Sequence, residues 1–566
     1  MGLRRLFETQ GLGVGPSKAD KSLALEVPIG LIAYRMSTSA KKIFLYDTTL
    51  RDGTQGEEIN FTANDKLLIA QKLMDFGIDC VEGGWPGSNP RDIEFFELVS
   101  QSGLPVERVS AFGSTRRARA TCETDESIQA LVRAHVPNLM VVGKSWDLHV
   151  RNALGISLEE NLELIFDTLR YLKTHADRVF FDAEHFFDGY IADPSYALKT
   201  LEAAKSAGAH CLVLCETNGG RLPNEVERIV KEVQAAMGDA ELGIHCHNDS
   251  ETGVANSLAA VLAGVSHVQG TINGYGERCG NANLCSIIPN LQLKLGFHCV
   301  EAEQLKQLQN LSGFVAELGN IPPNNRQPYV GRSAFAHKGG IHVSAVLKDS
   351  LTYEHIAPEL VGNRQRVLVS DLSGRSNLTY KASEFGLNLE AKDERTMRVL
   401  ERLKVLENQG FQYEGAEASF EILMRKAMGQ MPVFFELLSY SVLDAKRMHN
   451  EKPVSEATVM LAVEGEVEHT AATGNGPVNA LDNALRKALL RFFPVLGEMQ
   501  LVDYKVRILS SKDGTQSLTR VLICSRNKKA QTWGTVGVAT NIIDASYQAL
   551  VDAIEYMLLK EQPAKT

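Results

Sequence analysis

The stretch IFLYDTTLRDGTQ, residues 43–55, joins a short apolar run to a charged turn. The run at residues 43–45 has the length and composition of a buried strand, and Arg51 and Asp52 follow where that strand would end. A charged pair at the end of a core strand is costly to desolvate unless it binds a metal, a ligand or an opposite charge. A solvated ion pair is the alternative interpretation of these two residues.

The stretch IHCHND, residues 244–249, favours a metal site over that alternative. His245 and His247 are two residues apart, so on a strand both side chains point to the same face. One carboxylate and two imidazoles that project into one space can bind a divalent metal ion and leave positions open for a substrate. The sequence therefore predicts a metal site built from Asp52, His245 and His247.

Length and composition limit the classes of protein to consider. A chain of 566 residues is too long for one ordinary domain, which indicates about two to four units. The net charge of -10, without a Lys/Arg block, argues against nucleic acid and membrane surfaces as partners, and no apolar run is long enough to span a bilayer. Nine scattered Cys without a Cys-x-x-Cys pair predict reduced thiols and a cytoplasmic location.

Residues 1–40 differ from the rest of the chain, because they are rich in Gly and Ser and show no sustained periodicity. The apolar core and cleavage site of a signal peptide do not follow the first basic residues. We predict a flexible N-terminal lead-in, and Met36 is a hypothetical alternative start.

From residue 43 the chain alternates short apolar runs with longer amphipathic segments. The predicted strands are residues 43–46, 80–83, 109–112, 139–142, 179–182, 211–215, 243–247 and 268–272. The predicted helices between them are residues 64–76, 92–100, 158–176, 194–207, 223–237 and 253–263. Eight such repeats in about 250 residues are typical of a (β/α)8 TIM barrel, an α/β fold. An open doubly wound sheet is the alternative, but the first strand lacks the glycine fingerprint of dinucleotide-binding folds.

Polar residues cluster where these strands end, as the catalytic groups of a barrel do. They are Arg51, Asp52, Glu82, Lys144, Asp182, Glu184, His185, Thr217, His245 and His247. The eighth strand runs into NGYGERCGN at residues 273–281. Its last residue, Asn281, is a candidate oxygen ligand for the metal, and a structural role in the loop is the alternative.

Two further units follow the predicted barrel. We place a catalytic barrel at residues 41–320, a linker with a mainly helical subdomain at 321–433, and an α+β regulatory dimerisation domain at 434–560. The helical subdomain contains a predicted helix at 393–409 and a Gly-rich segment with His337 and His342. An internal repeat marks the last domain, with strands at 457–463 and 466–473 before a helix at 478–491, then strands at 504–509, 517–525 and 531–539 before a helix at 543–559.

These motifs resemble the family of metal-dependent barrel acyltransferases that join acetyl-CoA to 2-oxo acids, together with related lyases. The family pattern Asp-x-Thr-Leu-Arg-Asp-Gly-x-Gln is matched at 47–55, His-x-His at 245–247, Gly-x-Gly-Glu-Arg-x-Gly-Asn at 274–281 and Gly-Ile-His at 340–342. The segments GTQGE, EGGWPGSNP and GKSWD, at 53–57, 82–90 and 143–147, are most similar to the branch that uses pyruvate. The sequence departs from the commoner Gly-Ile-His-Gln-Asp-Gly pattern, with VSA after His342.

The resemblance implies a role for each candidate residue. Asp52, His245 and His247 would hold Mg²⁺ or Mn²⁺, with Zn²⁺ as a third option, and Arg51 would stabilise the developing alkoxide. Thr217 would bind the carboxylate of pyruvate, and Glu184 would position the thioester or share protons with it. His342, with a contribution from Tyr353, would take the proton from the acetyl group. Because this segment lies beyond the barrel, the resemblance implies that it reaches the active site of a second subunit in a homodimer or larger homo-oligomer.

The resemblance also implies that the C-terminal repeat binds an end-product amino acid, which for the pyruvate branch would be isoleucine. Three alternatives stay open at this point. The acceptor could be 2-oxoisovalerate, the barrel could belong to a metal-dependent lyase or aldolase, or the chain could be a non-catalytic amino-acid sensor. The small-molecule substrates expected from the resemblance are pyruvate and acetyl-CoA.

Overall fold

The computed structural model describes residues 40–368, 375–389, 393–446, 453–509 and 516–561. The predicted lead-in, apart from Ala40, and the hypothetical start at Met36 lie outside these residues. All nine cysteines are unpaired thiols, as the sequence predicts. In the described ranges, no helix is both long and apolar enough to cross a membrane.

Eight parallel strands form a closed barrel whose strand order follows the sequence, which confirms the predicted TIM barrel. The strands are β1 Phe44–Asp47, β2 Cys80–Gly84, β3 Val109–Ser114, β4 Asn138–Lys144, β5 Arg178–Glu184, β6 Cys211–Glu216, β7 Leu242–Cys246 and β8 His267–Gly270. The helices of this region are α1 Ala63–Phe76, α2 Pro90–Ser102, α3 Glu126–Arg133, α4 Asp147–His149, α5 Leu158–Leu172, α6 Phe186–Ala192, α7 Pro194–Ser206, α8 Pro223–Met237 and α9 Gly253–Leu262.

Strand β8 is shorter than the sequence predicts, and β7 has the predicted length but begins and ends one residue earlier. β7 ends at Cys246, so His247 lies one residue beyond the strand. There His247 forms an isolated antiparallel bridge with Asn281, which belongs to the loop that follows β8. The loop returns to β7 because the backbone N–H of Ala282 donates to the carbonyl of Cys246 at 2.8 Å. This return brings the end of the His-x-His motif into direct contact with the end of the Gly-rich loop motif.

Residue alternation along β1 separates the two cores of the barrel. Phe44 and Tyr46 pack with the apolar cluster inside the barrel, whereas Leu45 packs with the larger cluster between strands and helices. Such alternation is expected for a strand with one face toward the barrel axis and one toward the helices. β8 is the neighbour of β1 in the closed barrel, and in their register His267 pairs with Phe44 and Gln269 pairs with Tyr46.

Local sequence signals explain where helix α1 begins and ends. The hydroxyl of Thr62 accepts from the backbone N–H of Asp65 at 3.1 Å, and the Asp65 carboxylate accepts from the N–H of Thr62 at 2.9 Å. This reciprocal capping satisfies two amides that a helix start otherwise leaves unpaired. At the other end Gly77 adopts φ 107°, a left-handed conformation that favours glycine.

The region after the barrel is mainly helical, as the sequence predicts. It contains α10 Leu284–Pro289, α11 Ala302–Leu305, α12 Leu308–Leu318, β9 Ala336–His337, α13 Gly340–Val346, β10 Arg366–Val367, α14 Arg375–Glu384, α15 Glu394–Asn408 and α16 Glu417–Ala427. The described residues 319–335, where the predicted linker begins, form neither helix nor strand. Helix α15 confirms the predicted helix, with the carboxylate of Asp393 accepting from the N–H of Arg395 at 2.8 Å at its start.

The C-terminal region confirms the internal repeat. The first copy comprises β11 Glu436–Ala445, β12 Val454–Val463, β13 Glu466–Gly474 and α17 Pro477–Leu490. The second copy comprises β14 Gln500–Ile508, β15 Thr519–Arg526, β16 Thr532–Ala539 and α18 Ile542–Glu561. The sequence prediction of only two strands in the first copy is wrong, because β11 was missed. This edge strand leaves Leu438 and Leu443 exposed, so its sequence lacks the apolar alternation of a half-buried strand.

The helical region and the second repeat share a hydrophobic core. Phe420 of α16 and Leu403 of α15 belong to the same buried cluster as Val536 and Val538 of β16. The hydroxyl of Ser419 also accepts from the backbone N–H of Val536 at 3.0 Å. The predicted domain boundary at residue 434 therefore falls between segments that pack against each other.

A buried ion pair ties α1 and α2 to the end of β2. Lys66 and Asp92, which are 2% and 5% exposed, form this pair, and the Lys66 ammonium also donates to the carbonyl of Gly83 at 3.1 Å. The second carboxylate oxygen of Asp92 accepts from the backbone N–H of Trp85 at 2.7 Å. The pair therefore fixes the chain just after β2, where Trp85 reaches the mouth of the barrel.

Replacing Asp92 by Ala is expected to lower the free energy of unfolding of the barrel by about 3–5 kcal/mol, because Lys66 would remain buried without its partner charge. Urea unfolding followed by tryptophan fluorescence measures the change. As a control, Asp239→Ala removes an exposed carboxylate that pairs with Lys205, and the urea midpoint should stay unchanged. Equal midpoints for Asp92→Ala and the unmodified protein would contradict the stabilising role of the buried pair.

Candidate active site

A cavity of about 880 Å³ opens at the carboxyl ends of the barrel strands, where TIM barrels place their active sites. It is lined by eight of the residues that the sequence singles out, namely Arg51, Asp52, Lys144, Asp182, Glu184, Thr217, His245 and His247. Three further predicted site residues, Asn281, His342 and Tyr353, are not among the lining residues.

Asp52, His245 and His247 form a compact group of possible metal ligands. One carboxylate oxygen of Asp52 lies 3.2 Å from Nε2 of His245 and 3.9 Å from Nε2 of His247. The two Nε2 atoms are 3.4 Å apart, and all three residues are buried. One oxygen and two nitrogens that converge within 4.8 Å suit a divalent ion of the kind that binds mixed N/O ligands.

Asn281 supplies an unpaired oxygen beside this group. Its backbone is bridged to His247, and its side-chain amide donates to the carbonyl of Tyr275 at 3.1 Å. Its side-chain oxygen is buried and has no hydrogen-bond partner in the described part of the chain. A buried oxygen without a partner is costly, and a bound cation would satisfy it.

The electrostatics of the group keep its ligand atoms in the forms that bind a cation. Burial acts to raise the pKa of Asp52, but the charge of Arg51 and the hydrogen bond with His245 hold that pKa well below its usual range. Burial and the charge of His245 lower the pKa of His247 to about 4. Asp52 is therefore an anion and His247 a neutral imidazole near pH 7.

Arg51 is held rigidly next to the possible metal ligands. Its Nε donates to one carboxylate oxygen of Glu82 at 2.6 Å, and the other Glu82 oxygen accepts from the hydroxyl of Tyr46 at 2.9 Å. The guanidinium carbon lies 3.8 Å from the centre of the Phe112 ring, and an Arg51 nitrogen is 3.6 Å from the Asp52 carboxylate. These contacts fix a permanent positive charge at the wall of the cavity.

The opposite wall carries Lys144, Glu184 and Thr217. Lys144 at the end of β4 is in register with Glu184 at the end of β5, and their side chains form an ion pair. The hydroxyl oxygen of Thr217 accepts from the backbone N–H of His185 at 2.9 Å. The cavity therefore presents a hydroxyl and a neutralised ion pair opposite Arg51.

The structure places His342 and Tyr353 outside the cavity of their own chain. Their rings pack against each other at an interplanar angle of 31°, with centroids 4.3 Å apart, and both side chains are exposed. His337, from the same segment, instead has its Nε2 2.9 Å from a carboxylate oxygen of the buried Glu354. Of the two histidines in this Gly-rich segment, only His342 is thus open to a reaction partner.

Sequence reasoning missed Gln269 as a functional candidate. Gln269 is fully buried in β8, and its side-chain oxygen lies 2.8 Å from Nδ1 of His245. Its amide nitrogen donates to Asp182 at 3.0 Å, and burial raises the pKa of Asp182 to about 7. The signal available in the sequence was its position two residues after His267, on the face of β8 that points into the barrel.

Comparison with known protein families divides the chain into three matched regions. Residues 42–314 match the family described as HMGL-like. Residues 329–410 match the homocitrate synthase post-HMGL domain-like family, and residues 414–558 match the LeuA allosteric (dimerisation) domain. The matched regions follow the barrel, the helical region and the C-terminal repeat.

Comparison with curated proteins gives relatives that span almost the whole chain. An (R)-citramalate synthase of Geobacter sulfurreducens is 58% identical over 92% of this chain and 98% of the relative. An (R)-citramalate synthase of Aquifex aeolicus is 54% identical over 92% and 99%, respectively. A probable 2-isopropylmalate synthase of Methanopyrus kandleri is 32% identical over 91% and 98%. The chain therefore belongs to the (R)-citramalate synthase family.

Proposed function

We propose that this protein condenses acetyl-CoA with pyruvate in a Claisen-type reaction that gives (R)-citramalate and CoA. The observation that carries the proposal is the convergence of Asp52, His245 and His247 beside Arg51 in the barrel cavity. The names of the relatives with 58% and 54% identity support pyruvate as the acceptor. The reaction would be an early step of isoleucine synthesis from pyruvate.

The metal site is proposed to consist of Asp52, His245, His247 and Asn281, which supply two oxygens and two nitrogens. Mg²⁺ and Mn²⁺ suit this set when substrate or water oxygens complete the coordination, and Zn²⁺ is a further candidate. The bound ion would supply Lewis-acid polarisation of the ketone of pyruvate. The buried, unpaired oxygen of Asn281 supports its inclusion.

Residues around the metal site would bind pyruvate and stabilise the charge that develops on it. Arg51, fixed by Glu82 and Phe112, is placed to stabilise the alkoxide that forms when the ketone carbon is attacked. Thr217 is proposed to hold the carboxylate of pyruvate. Glu184, paired with Lys144, is proposed to position the thioester of acetyl-CoA.

The rim of the cavity has the charge that the phosphates of acetyl-CoA require. Arg116, Arg117 and Arg119, all from the loop after β3, line this rim. The loop is held in place because the carboxylate of Asp125 accepts from the backbone N–H of Arg117 at 2.8 Å. Guanidinium groups bind phosphates with paired hydrogen bonds, which supports acetyl-CoA as the co-substrate.

His342 is proposed as the base that removes a proton from the acetyl methyl group, in the cavity of a second subunit. An imidazole is suited to this step because its pKa is near neutrality. Around it, Ile341, Leu351 and Tyr353 are 82%, 57% and 47% exposed, as expected for a surface that a partner chain covers. The carbanion then attacks the ketone carbon of pyruvate, and water cleaves the thioester to release CoA.

The C-terminal region is proposed to bind isoleucine and to join two chains in a homodimer. Support comes from the match of residues 414–558 to the LeuA allosteric (dimerisation) domain. Because citramalate would lead toward isoleucine, this amino acid is the effector expected for feedback inhibition.

A second candidate function is 2-isopropylmalate synthesis, with 2-oxoisovalerate in place of pyruvate. It is favoured by less similar relatives that bear this name, at 32% and 29% identity. The two acceptors differ by two methyl groups, and each is worth about 1–3 kcal/mol of discrimination in an apolar pocket. An acceptor comparison therefore separates the two functions.

We expect pyruvate to give the highest kcat/KM among pyruvate, 2-oxobutyrate, 2-oxoisovalerate and 2-oxoglutarate. The measurement is the release of CoA from acetyl-CoA, followed with a thiol reagent in the presence of Mn²⁺ or Mg²⁺. Preference for 2-oxoisovalerate would contradict citramalate synthesis and support the second candidate function, 2-isopropylmalate synthesis. Absence of CoA release with every acceptor would contradict both synthase functions.

Replacing Asp52 by Ala is expected to lower kcat/KM by more than about 100-fold. Loss of an outer-shell partner of a metal ligand costs up to about 100-fold, and loss of a ligand itself should cost more. Loss of the anionic ligand should also weaken Mn²⁺ binding, which electron paramagnetic resonance measures directly. The control Asp239→Ala changes an exposed carboxylate outside the cavity and should bind Mn²⁺ as the unmodified protein does. Unchanged Mn²⁺ affinity in Asp52→Ala would rule out the proposed site.

Isoleucine is expected to inhibit the full chain, and Asp52→Ala should bind isoleucine with the affinity of the unmodified protein. The reason is that the effector site is proposed to lie at residues 434–560, away from the barrel cavity. Isothermal titration of isoleucine, with leucine and valine as comparison ligands, measures the binding. Loss of isoleucine binding in Asp52→Ala would instead indicate a site in the barrel.

A further inference from the structure

Gln269 links a possible metal ligand to a second buried acid. Its side-chain oxygen lies 2.8 Å from Nδ1 of His245, and its amide nitrogen lies 3.0 Å from a carboxylate oxygen of Asp182. The same nitrogen is 3.5 Å from Nε2 of His267. All four side chains are buried, so water does not compete for these hydrogen bonds.

The two neighbours of its nitrogen set the orientation of the Gln269 amide. An amide NH2 group donates two hydrogens, whereas the amide oxygen only accepts. Asp182 offers an acceptor oxygen, and burial lowers the pKa of His267 to about 3, so that its neutral ring can also accept. With the amide reversed, the oxygen of Gln269 would face an oxygen of Asp182, and the ionised form of this acid has no hydrogen to place between them. The observed orientation is therefore the favourable one.

This orientation determines which nitrogen of His245 carries the hydrogen. Because the Gln269 oxygen only accepts, Nδ1 of His245 must donate to it. Of the two ring nitrogens, Nε2 is then the one left to bind a cation, and it is the atom 3.2 Å from a carboxylate oxygen of Asp52. The reversed amide would instead require a hydrogen on Nε2, which would block the binding of a cation there.

We propose that Gln269 is a positioning residue that locks His245 in the tautomer with a hydrogen on Nδ1, and so prepares Nε2 to bind a divalent cation. Outer-shell partners of metal-bound histidines act in this way by fixing the tautomer and the orientation of the ring. The inference rests on the proposed metal site, and it adds Gln269 and Asp182 to the residues that shape it. Neither the predicted motifs nor the cavity lining include Gln269.

The test compares Mn²⁺ affinity in two variants by electron paramagnetic resonance, without substrates. Gln269→Met keeps the length and volume of the side chain but removes the acceptor, and its affinity for Mn²⁺ should fall about 10–100-fold. Gln269→Glu should stay within about threefold of the unmodified protein, because a carboxyl that shares a proton with Asp182 can still accept from Nδ1. Rescue by this variant would not be expected if Gln269 only filled space.

A matched control removes a buried glutamine elsewhere in the barrel region. The oxygen of Gln292 accepts from the backbone N–H groups of Cys299 and Val300, at 3.3 and 3.0 Å. Gln292→Met should therefore lower stability without changing Mn²⁺ affinity. Equal Mn²⁺ affinity in Gln269→Met and the unmodified protein would overturn the proposal, and so would equal losses in Gln269→Met and Gln269→Glu.

A second measurement needs no variant at position 269. In Mg²⁺-loaded protein with ¹⁵N-labelled histidine, His245 should show a protonated Nδ1, and a His245→Gln sample identifies its signal. A deprotonated Nδ1 would overturn the proposal even if both variants at position 269 failed to fold. Because neither measurement uses substrates, a protein with the predicted tautomer but without CoA release would refute the proposed function and leave this inference intact.

Discussion

Pairing of β1 with β8 is the constraint on which the site depends. The backbone N–H of Thr48, just after β1, donates to the carbonyl of Gly270 at 2.9 Å, and this contact closes the ring of strands. In an open sheet β1 and β8 would lie at opposite edges, and the carboxylate of Asp52 could not reach His245 near the end of β7 and His247 just after it. Closure also aligns Tyr46 with Gln269, so that the buried polar side chains of three neighbouring strands share one space.

Pairing of opposite charges offsets the cost of burying these polar groups inside the barrel. Glu82 is completely buried, which is costly unless a cation and hydrogen bonds compensate for the lost water. Arg51 and Tyr46 provide both, and the Phe112 ring covers one face of the guanidinium. The same contacts that make burial tolerable also immobilise Arg51. A charge fixed before the reaction needs no reorganisation when a negative oxygen develops, which is the advantage of a preorganised site.

The sequence was informative where chemistry and periodicity coincide. The barrel and the group of Asp52 and His245 were predictable, because apolar runs recur at strand length and polar residues follow them. Edge strand β11 was not, because one of its faces is exposed and the apolar alternation is lost. Gln269 was missed because a single polar residue in a strand does not reveal its partners across the barrel. The position of His342 relative to a cavity depends on a second chain, and residue spacing within one chain carries no information about that contact.

The core shared by α16 and β16 has a consequence for how such proteins recombine. The backbones approach so closely there that a side-chain carbon at Gly534 would lie 1.8 Å from the carbonyl oxygen of Gly415. A chimaera joined near residue 430 would pair Phe420 with a foreign strand, and it would need a glycine at the position of Gly534. Exchange of the C-terminal repeat between relatives is therefore expected to succeed when α15 and α16 are exchanged together with it. The segment that can be exchanged as one unit is thus larger than the repeat itself.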